Sequence, residues 1–271
     1  MTMRKTIIQI YEIQTEAEAE ALAALGVDHI GSVLLSAAEW KVQAIRKTVQ
    51  TVQGMKAKSV LIPLFGDPVT IFHTLEYYQP DIIHFCEATA ILSDDKVGSL
   101  REFDSLLSLQ RNIKDRFPQI EIMRSLPVPQ QADTMKKEVT QTILSFGKLL
   151  APVSDYFLID TVISDQGALQ EQPVAGFVGI TGEVCDWSIA GAIINWSPIP
   201  VILAGGISDE NVYDAIIRLK PAGVDSCTKT NAVSNDGSSI RFKKDLKKVK
   251  RMVEEAGRAD ALLFETLIQV K

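Results

Sequence analysis

Short runs of β-branched and other apolar residues recur from one end of the chain to the other, each followed by a segment with helical spacing. The pattern predicts strands at 6–11, 29–35, 59–65, 81–85, 121–126, 156–160, 200–204 and 222–226. Most of these runs are continuously apolar rather than alternating, as expected of parallel strands covered on both faces. Helices are predicted at 15–25, 38–52, 68–78, 99–116, 134–150, 186–195, 211–219 and 243–256. The first opens with Thr15 as cap and acidic first-turn residues, and Gly26 stops it. Loop-like stretches fall at 90–99 and 127–133, and SNDGSS at 234–239 reads as a turn. Eight strand–helix repeats in 271 residues imply an α/β fold, a single (β/α)8 TIM barrel spanning 1–271. The competing doubly wound sheet loses its main support, because IQIYEIQ after the first strand carries no glycine-rich dinucleotide fingerprint. The amphipathic tail at 257–271 exceeds what the eighth helix requires. It predicts an extra C-terminal helix that closes the barrel floor, or a homodimer contact through Leu262, Leu263 and Phe264.

Composition narrows the function. There are 28 Lys+Arg against 34 Asp+Glu, a net charge of −6, which disfavours nucleic acid and anionic membranes as partners. No apolar run approaches the ~20 residues of a membrane span, and the N-terminal apolar stretch runs directly into acidic residues rather than forming a signal peptide. Cys86, Cys185 and Cys227 are far apart, with no metal-site spacing. The expectation is a cytoplasmic protein without a metal.

In this fold chemistry sits where strands run into βα loops. Tyr11 and Glu12 follow strand one, Cys86 and Glu87 strand four; Arg124 and Ser125 close strand five, and Asp160 and Thr161 strand six. The strand at 200–204 ends in Ala204-Gly205-Gly206 and a helix begins soon after. Glycines there let backbone N–H groups approach an anion, and the seventh and eighth loops are the usual phosphate site. Gly179, Thr181 and Gly182 supply a further wall, and Ser226, Cys227 and Lys229 follow strand eight. Asp160, at the barrel mouth, is a carboxyl placed for general acid work. His84 sits mid-strand and reads as a satisfied interior residue, and the Lys-rich run at 243–251 as a solvated helix face.

GITGEVCDWSIAGAI, PVILAGGISDENVYDAI and PAGVDSCTKT, all in the last third of the chain, resemble phosphoribosylanthranilate isomerases, and YFLID resembles that family's sixth strand. The resemblance implies a TIM barrel performing a cofactor-free Amadori rearrangement of a phosphorylated small molecule, a step of tryptophan biosynthesis. It places the acid that opens the sugar ring on Asp160. The family's proton-abstracting cysteine falls on Tyr11, a phenol whose ordinary pKa near 10 makes a poor base. Glu12 substitutes only if a bulge turns it inward. The family's arginine after strand two, which contacts the anthranilate carboxylate, has no counterpart in SVLLSAAEW. Phosphate-side features are thus kept while base-side and anthranilate-side features are lost. Arg124 and Lys229 are candidates for new anion contacts. The alternatives are a different phosphosugar lyase or epimerase, and a non-catalytic barrel that keeps only the anion cup.

Overall fold

The computed structural model describes residues 5–87, 96–131, 136–162 and 176–269. Eight parallel strands close on themselves: β1 (Ile7–Ile10), β2 (His29–Leu34), β3 (Lys58–Pro63), β4 (Ile82–Phe85), β5 (Glu121–Pro129), β6 (Tyr156–Val162), β7 (Val201–Leu203) and β8 (Gly223–Ser226). β1 pairs with both β2 and β8, so the ring has no free edge. Helices α1 (Glu16–Ala24), α2 (Gln43–Gln53), α3 (Pro68–Tyr78), α4 (Lys96–Arg116), α5 (Lys136–Leu150), α6 (Trp187–Trp196), α7 (Val212–Leu219) and α8 (Leu246–Gln269) form the outer layer. The expected TIM barrel is the observed one.

Period two in the strands separates two cores. Val33, Val60, Ile62, Ile82, Met123, Leu158 and Ile202 pack together in the lumen. Intervening residues such as Ile8, Ile10, Leu126, Ile159 and Val224 pack against the helices. The N-terminal floor carries a repeated device. Asp28, Asp81 and Asp155 each stand just before an even-numbered strand, and each accepts the first free N–H of the strand before it. The donors are Ile8 (2.9 Å), Ser59 (2.7 Å) and Ile122 (2.7 Å). These carboxylates satisfy strand-end N–H groups that have no ladder partner and fix the strand pairs in register.

The C-terminal extension prolongs α8 rather than forming a second helix. Gly257 lies inside it, because one helical glycine costs only about 1 kcal/mol. Beyond that glycine Ala259 is buried, and Asp260 accepts from Thr6 N (3.0 Å) and Thr6 Oγ1 (2.6 Å), tying the tail to the first strand. Leu262, Phe264 and Ile268 remain exposed. Two further differences from the sequence reading concern the rim. β5 continues to Pro129, through part of the expected loop at 127–133. Between β8 and α8 stands an antiparallel hairpin, β9 (Asn231–Val233) and β10 (Ser239–Lys244), whose turn alone was expected. Lys243 and Lys244 therefore belong to a strand, not to the last helix. The expected loop at 90–99 lies outside the described residues up to 95, and so does the expected helix start at 134–135.

Candidate active site

Two adjoining cups open at the C-terminal mouth. The smaller, of about 280 Å³, is formed by Gly182, by 204–207 after β7, and by Ser226 at the end of β8 with 227–229 beyond it. Gly205 (φ +77) and Gly206 (φ +63) take left-handed backbone. A Cβ on Gly205 would meet Thr161 Oγ1 at 2.3 Å, and one on Gly206 the backbone carbon of Glu183 at 2.8 Å. Only glycine fits this approach. Within the described residues neither glycine N–H donates to another group, which leaves both for an anion. The turn is held rigid from outside: Asn211 donates to Gly206 O (3.0 Å) and accepts from Ser208 N (2.9 Å), while Ser226 Oγ donates to Ile207 O (2.7 Å). Lys229 supplies the cup's cation.

The larger cup, of about 530 Å³, has apolar walls from Val33, Ile62, Leu64, Leu158, Phe177 and Ile180. Its polar lining includes Glu12, Asp160 and Asp225, and among the described lining residues it has no lysine or arginine. Residues 88–95 and 163–175, which follow β4 and β6, contain none either. The cups share Asp160, Ile180, Asp225 and Cys227.

Asp160 stands at this junction. Burial lifts its carboxyl to about 7, against the opposing pull of the Thr161 N–H bonded to Oδ1 at 2.7 Å. It is therefore protonated up to neutral pH and can donate. Asp225, which the sequence reading did not single out as a site residue, points inward from β8. Burial first, and then the charge of Asp160, raise it well above the carboxylate range. Its signal was its parity: in a strand where Val224 faces the helices, Asp225 must face the lumen.

Tyr11 is placed in the larger cup but cannot be an anion. Burial, followed by the charge of Asp225, raises its phenol well above its usual value. Its Oη lies 2.6 Å from His84 Nδ1, and His84 Nε2 lies 2.8 Å from Ser125 Oγ. His84 is pushed down to about 3 by burial and by Arg124, so its ring is neutral, with one nitrogen donating and one accepting. The triad is a satisfied interior network, as expected for His84. The tyrosine ring lies against Gly31, where a Cβ would sit 2.0 Å from Cδ1. No thiol takes over as base, since burial raises Cys86, Cys185 and Cys227 alike.

Glu12 is turned into the site. It adopts φ +66, a left-handed conformation rare for a side-chain-bearing residue, and is fully buried on the wall of the larger cup. Arg241 of β10 pairs with Oε1, while Oε2 has no partner among the described residues. Sequence reading missed Arg241, which carries no periodic signal between a turn and a helix.

Two expected contacts are corrected. Arg124 lies on the outward face of β5, between the inward Met123 and Ser125, and is buried in an ion pair with Glu87 (2.6 Å). Thr181 turns its hydroxyl to the N–H of Glu183 (3.2 Å) and lines neither cup, unlike its neighbours Ile180 and Gly182.

Residues 110–255 match the family described as N-(5'-phosphoribosyl)anthranilate (PRA) isomerase. The chain is 27% identical to an N-(5'-phosphoribosyl)anthranilate isomerase of Methanosarcina acetivorans, over 94% of each chain. It is 25% identical to N-(5'-phosphoribosyl)anthranilate isomerase 1 of Methanosarcina mazei, over 96% of this chain and 98% of the relative. The structure of the Pyrococcus furiosus N-(5'-phosphoribosyl)anthranilate isomerase shares the fold at a TM-score of 0.64 and 19% identity, over 93% and 99% of the two chains. Among the described residues no helix is long and apolar enough to cross a membrane. With more than half of its residues matched by the family model, the chain belongs to the N-(5'-phosphoribosyl)anthranilate isomerase family.

Proposed function

We propose that the protein catalyses a cofactor-free Amadori-type aldose–ketose isomerisation of an N-substituted phosphoribosylamine, the reaction type of its family. The observation that carries this reading is the junction of the two cups at Asp160, a carboxyl lifted to about 7 beside a backbone anion cradle. The phosphate would sit on Gly205 and Gly206, with Lys229 balancing its charge and Gly182, Ser226 and Cys227 closing the cup. Asp160 would give its proton to the ribose ring oxygen, opening the ring to an iminium. A base at the end of β1 would then take the C2′ proton, and the C–H electrons would form the enolamine that relaxes to the ketose. Of the two residues there, Glu12 rather than Tyr11 suits that task, because the phenol stays protonated. A cytoplasmic site of action fits the acidic, thiol-bearing composition. Pairing into a homodimer through the exposed end of α8 is the assembly we propose, checked by sedimentation velocity.

The reading is tested by giving purified protein phosphoribosylanthranilate and following the loss of substrate fluorescence, in parallel with rescue of a tryptophan auxotroph. A kcat lower by roughly 10³-fold in Asp160→Asn supports it; a wild-type protein inert both on this substrate and on N-phenyl phosphoribosylamine overturns it. The lack of a cation among the described lining residues of the larger cup favours a second reading, in which the organic half differs from anthranilate. Faster conversion of N-phenyl phosphoribosylamine, which lacks the carboxylate, would select that second reading.

A further inference from the structure

We propose that Arg241 is a positioning residue for Glu12, delivered by the β9–β10 hairpin, and that it leaves Glu12 Oε2 free as the proton acceptor; the inference rests on the isomerase reading above. Both guanidinium contacts, from Nε (2.7 Å) and from a terminal nitrogen, go to the same oxygen, Oε1. A structural arginine–carboxylate fork commonly engages both oxygens. Here the second oxygen is buried and accepts no hydrogen bond among the described residues, on a residue that lines the larger cup with the Cys227 thiol beside it. An unpaired buried carboxylate oxygen is unfavourable, and a substrate hydrogen is the partner it lacks.

The surroundings give Arg241 this task alone. The acidic groups that share the site with Glu12 are the Asp225 and Asp160 carboxyls, the Tyr11 phenol and the Cys227 thiol, all raised by burial. The other nearby cation, Lys244, is spent on Cys227 O (2.9 Å) and on Asn231 Oδ1. Arg241 is thus the cation paired with Glu12, and it leaves Oε2 uncovered. The hairpin is built to hold it. Its register shifts between Ser239 and Lys244, and inside that irregularity Phe242 takes φ +59, with its ring 4.6 Å from the Arg241 guanidinium. Lys244 N donates to Glu18 Oε1 of α1 (2.7 Å), and Asp245 N to Thr230 O (2.9 Å), pinning the hairpin's end to the barrel. Left-handed backbone on both sides of the pair, at Glu12 and at Phe242, is strain retained at a site, and such strain persists where the surrounding structure over-determines it. In the step itself, the C2′–H bond of the iminium breaks, its proton goes to Oε2, and its electron pair forms the C1′–C2′ double bond while the nitrogen becomes neutral.

The experiment compares wild-type protein with Arg241→Met and Arg241→Lys on phosphoribosylanthranilate and on N-phenyl phosphoribosylamine, with circular dichroism to check folding. Misplacing the base predicts a kcat lower by roughly 10–100-fold in Arg241→Met with KM within about threefold, and partial recovery in Arg241→Lys. An unchanged kcat, a KM effect alone, or a lysine variant no better than the methionine one overturns the inference. If Arg241→Met does not fold, Arg241→Lys decides: kcat reduced at constant KM supports the inference, and unchanged kcat overturns it. Wild-type protein inert on both substrates overturns the isomerase reading and this inference together, whereas active wild type with an indifferent Arg241→Met overturns this inference alone.

Discussion

The two cups at the barrel mouth are built from different materials. The smaller is mostly main chain: two left-handed glycines, unspent N–H groups and a few side chains that brace the turn from behind. The larger is mostly side chains: apolar walls, three carboxyls and no cation among its described lining residues. A grip made of backbone depends on loop geometry and a few small residues, so it survives divergence elsewhere and stays recognisable. A wall made of side chains changes with every substitution. The sequence resemblance follows this division, strong over β6–β8 and weak over β1–β4.

The largest break in the comparison would come where the cups meet. Asp160→Asn should lower kcat by roughly 10³-fold, the middle of the range for general acid catalysis, while inorganic phosphate still binds, as calorimetry would show. The same substitution should stabilise the protein. Burial raises the folded-state pKa of Asp160 from 3.8 to about 7, so the folded state holds a proton that the unfolded chain releases, and stability falls as pH rises between these values. Asn carries no such penalty. Thermal melts should show the variant more stable by up to roughly 4 kcal/mol at pH 8, with the gain gone near pH 4.

Next in size is the small cup by itself. Gly206→Val drives a branched side chain into the backbone of Glu183 and should weaken phosphate binding roughly 10–100-fold, as both the cradle and its left-handed turn are lost. Retained affinity would show that Lys229 alone holds the anion and that the main-chain turn does not grip it. A milder effect lies in the pH profile. kcat/KM should decline above about 7 as Asp160 gives up its proton, and this limb should vanish in Asp160→Asn. The smallest concerns Tyr11. Since its phenol remains protonated, Tyr11→Phe should leave kcat within about threefold while costing about 1–2 kcal/mol in denaturant melts, because His84 loses its partner.

Much of the barrel was legible because parallel strands buried on both sides are apolar throughout. The strand expected at 156–160 lies within two residues of β6, which carries on past Asp160 to Val162. Arg124 was misread for want of one further step. Period two, applied from Met123 and Ser125, sends it outward to Glu87. The hairpin escaped because NAV and SIRFKK are too short to alternate clearly, so only the turn between them signalled. That Glu12 faces the cup was illegible for a deeper reason. Its direction comes from a left-handed φ and from an arginine 229 residues away, neither of which local pattern encodes.

The close seating of the Tyr11 ring on Gly31 ties these two positions to each other. Replacing Tyr11 with cysteine would do more than exchange a phenol for a thiol. It would leave a ring-sized hollow beneath the mouth, strip His84 of its partner and leave the new sulfur short of the place where the phenol now ends. Any smaller side chain at 11 therefore needs a compensating change at Gly31 or His84 to refill the space beneath the mouth.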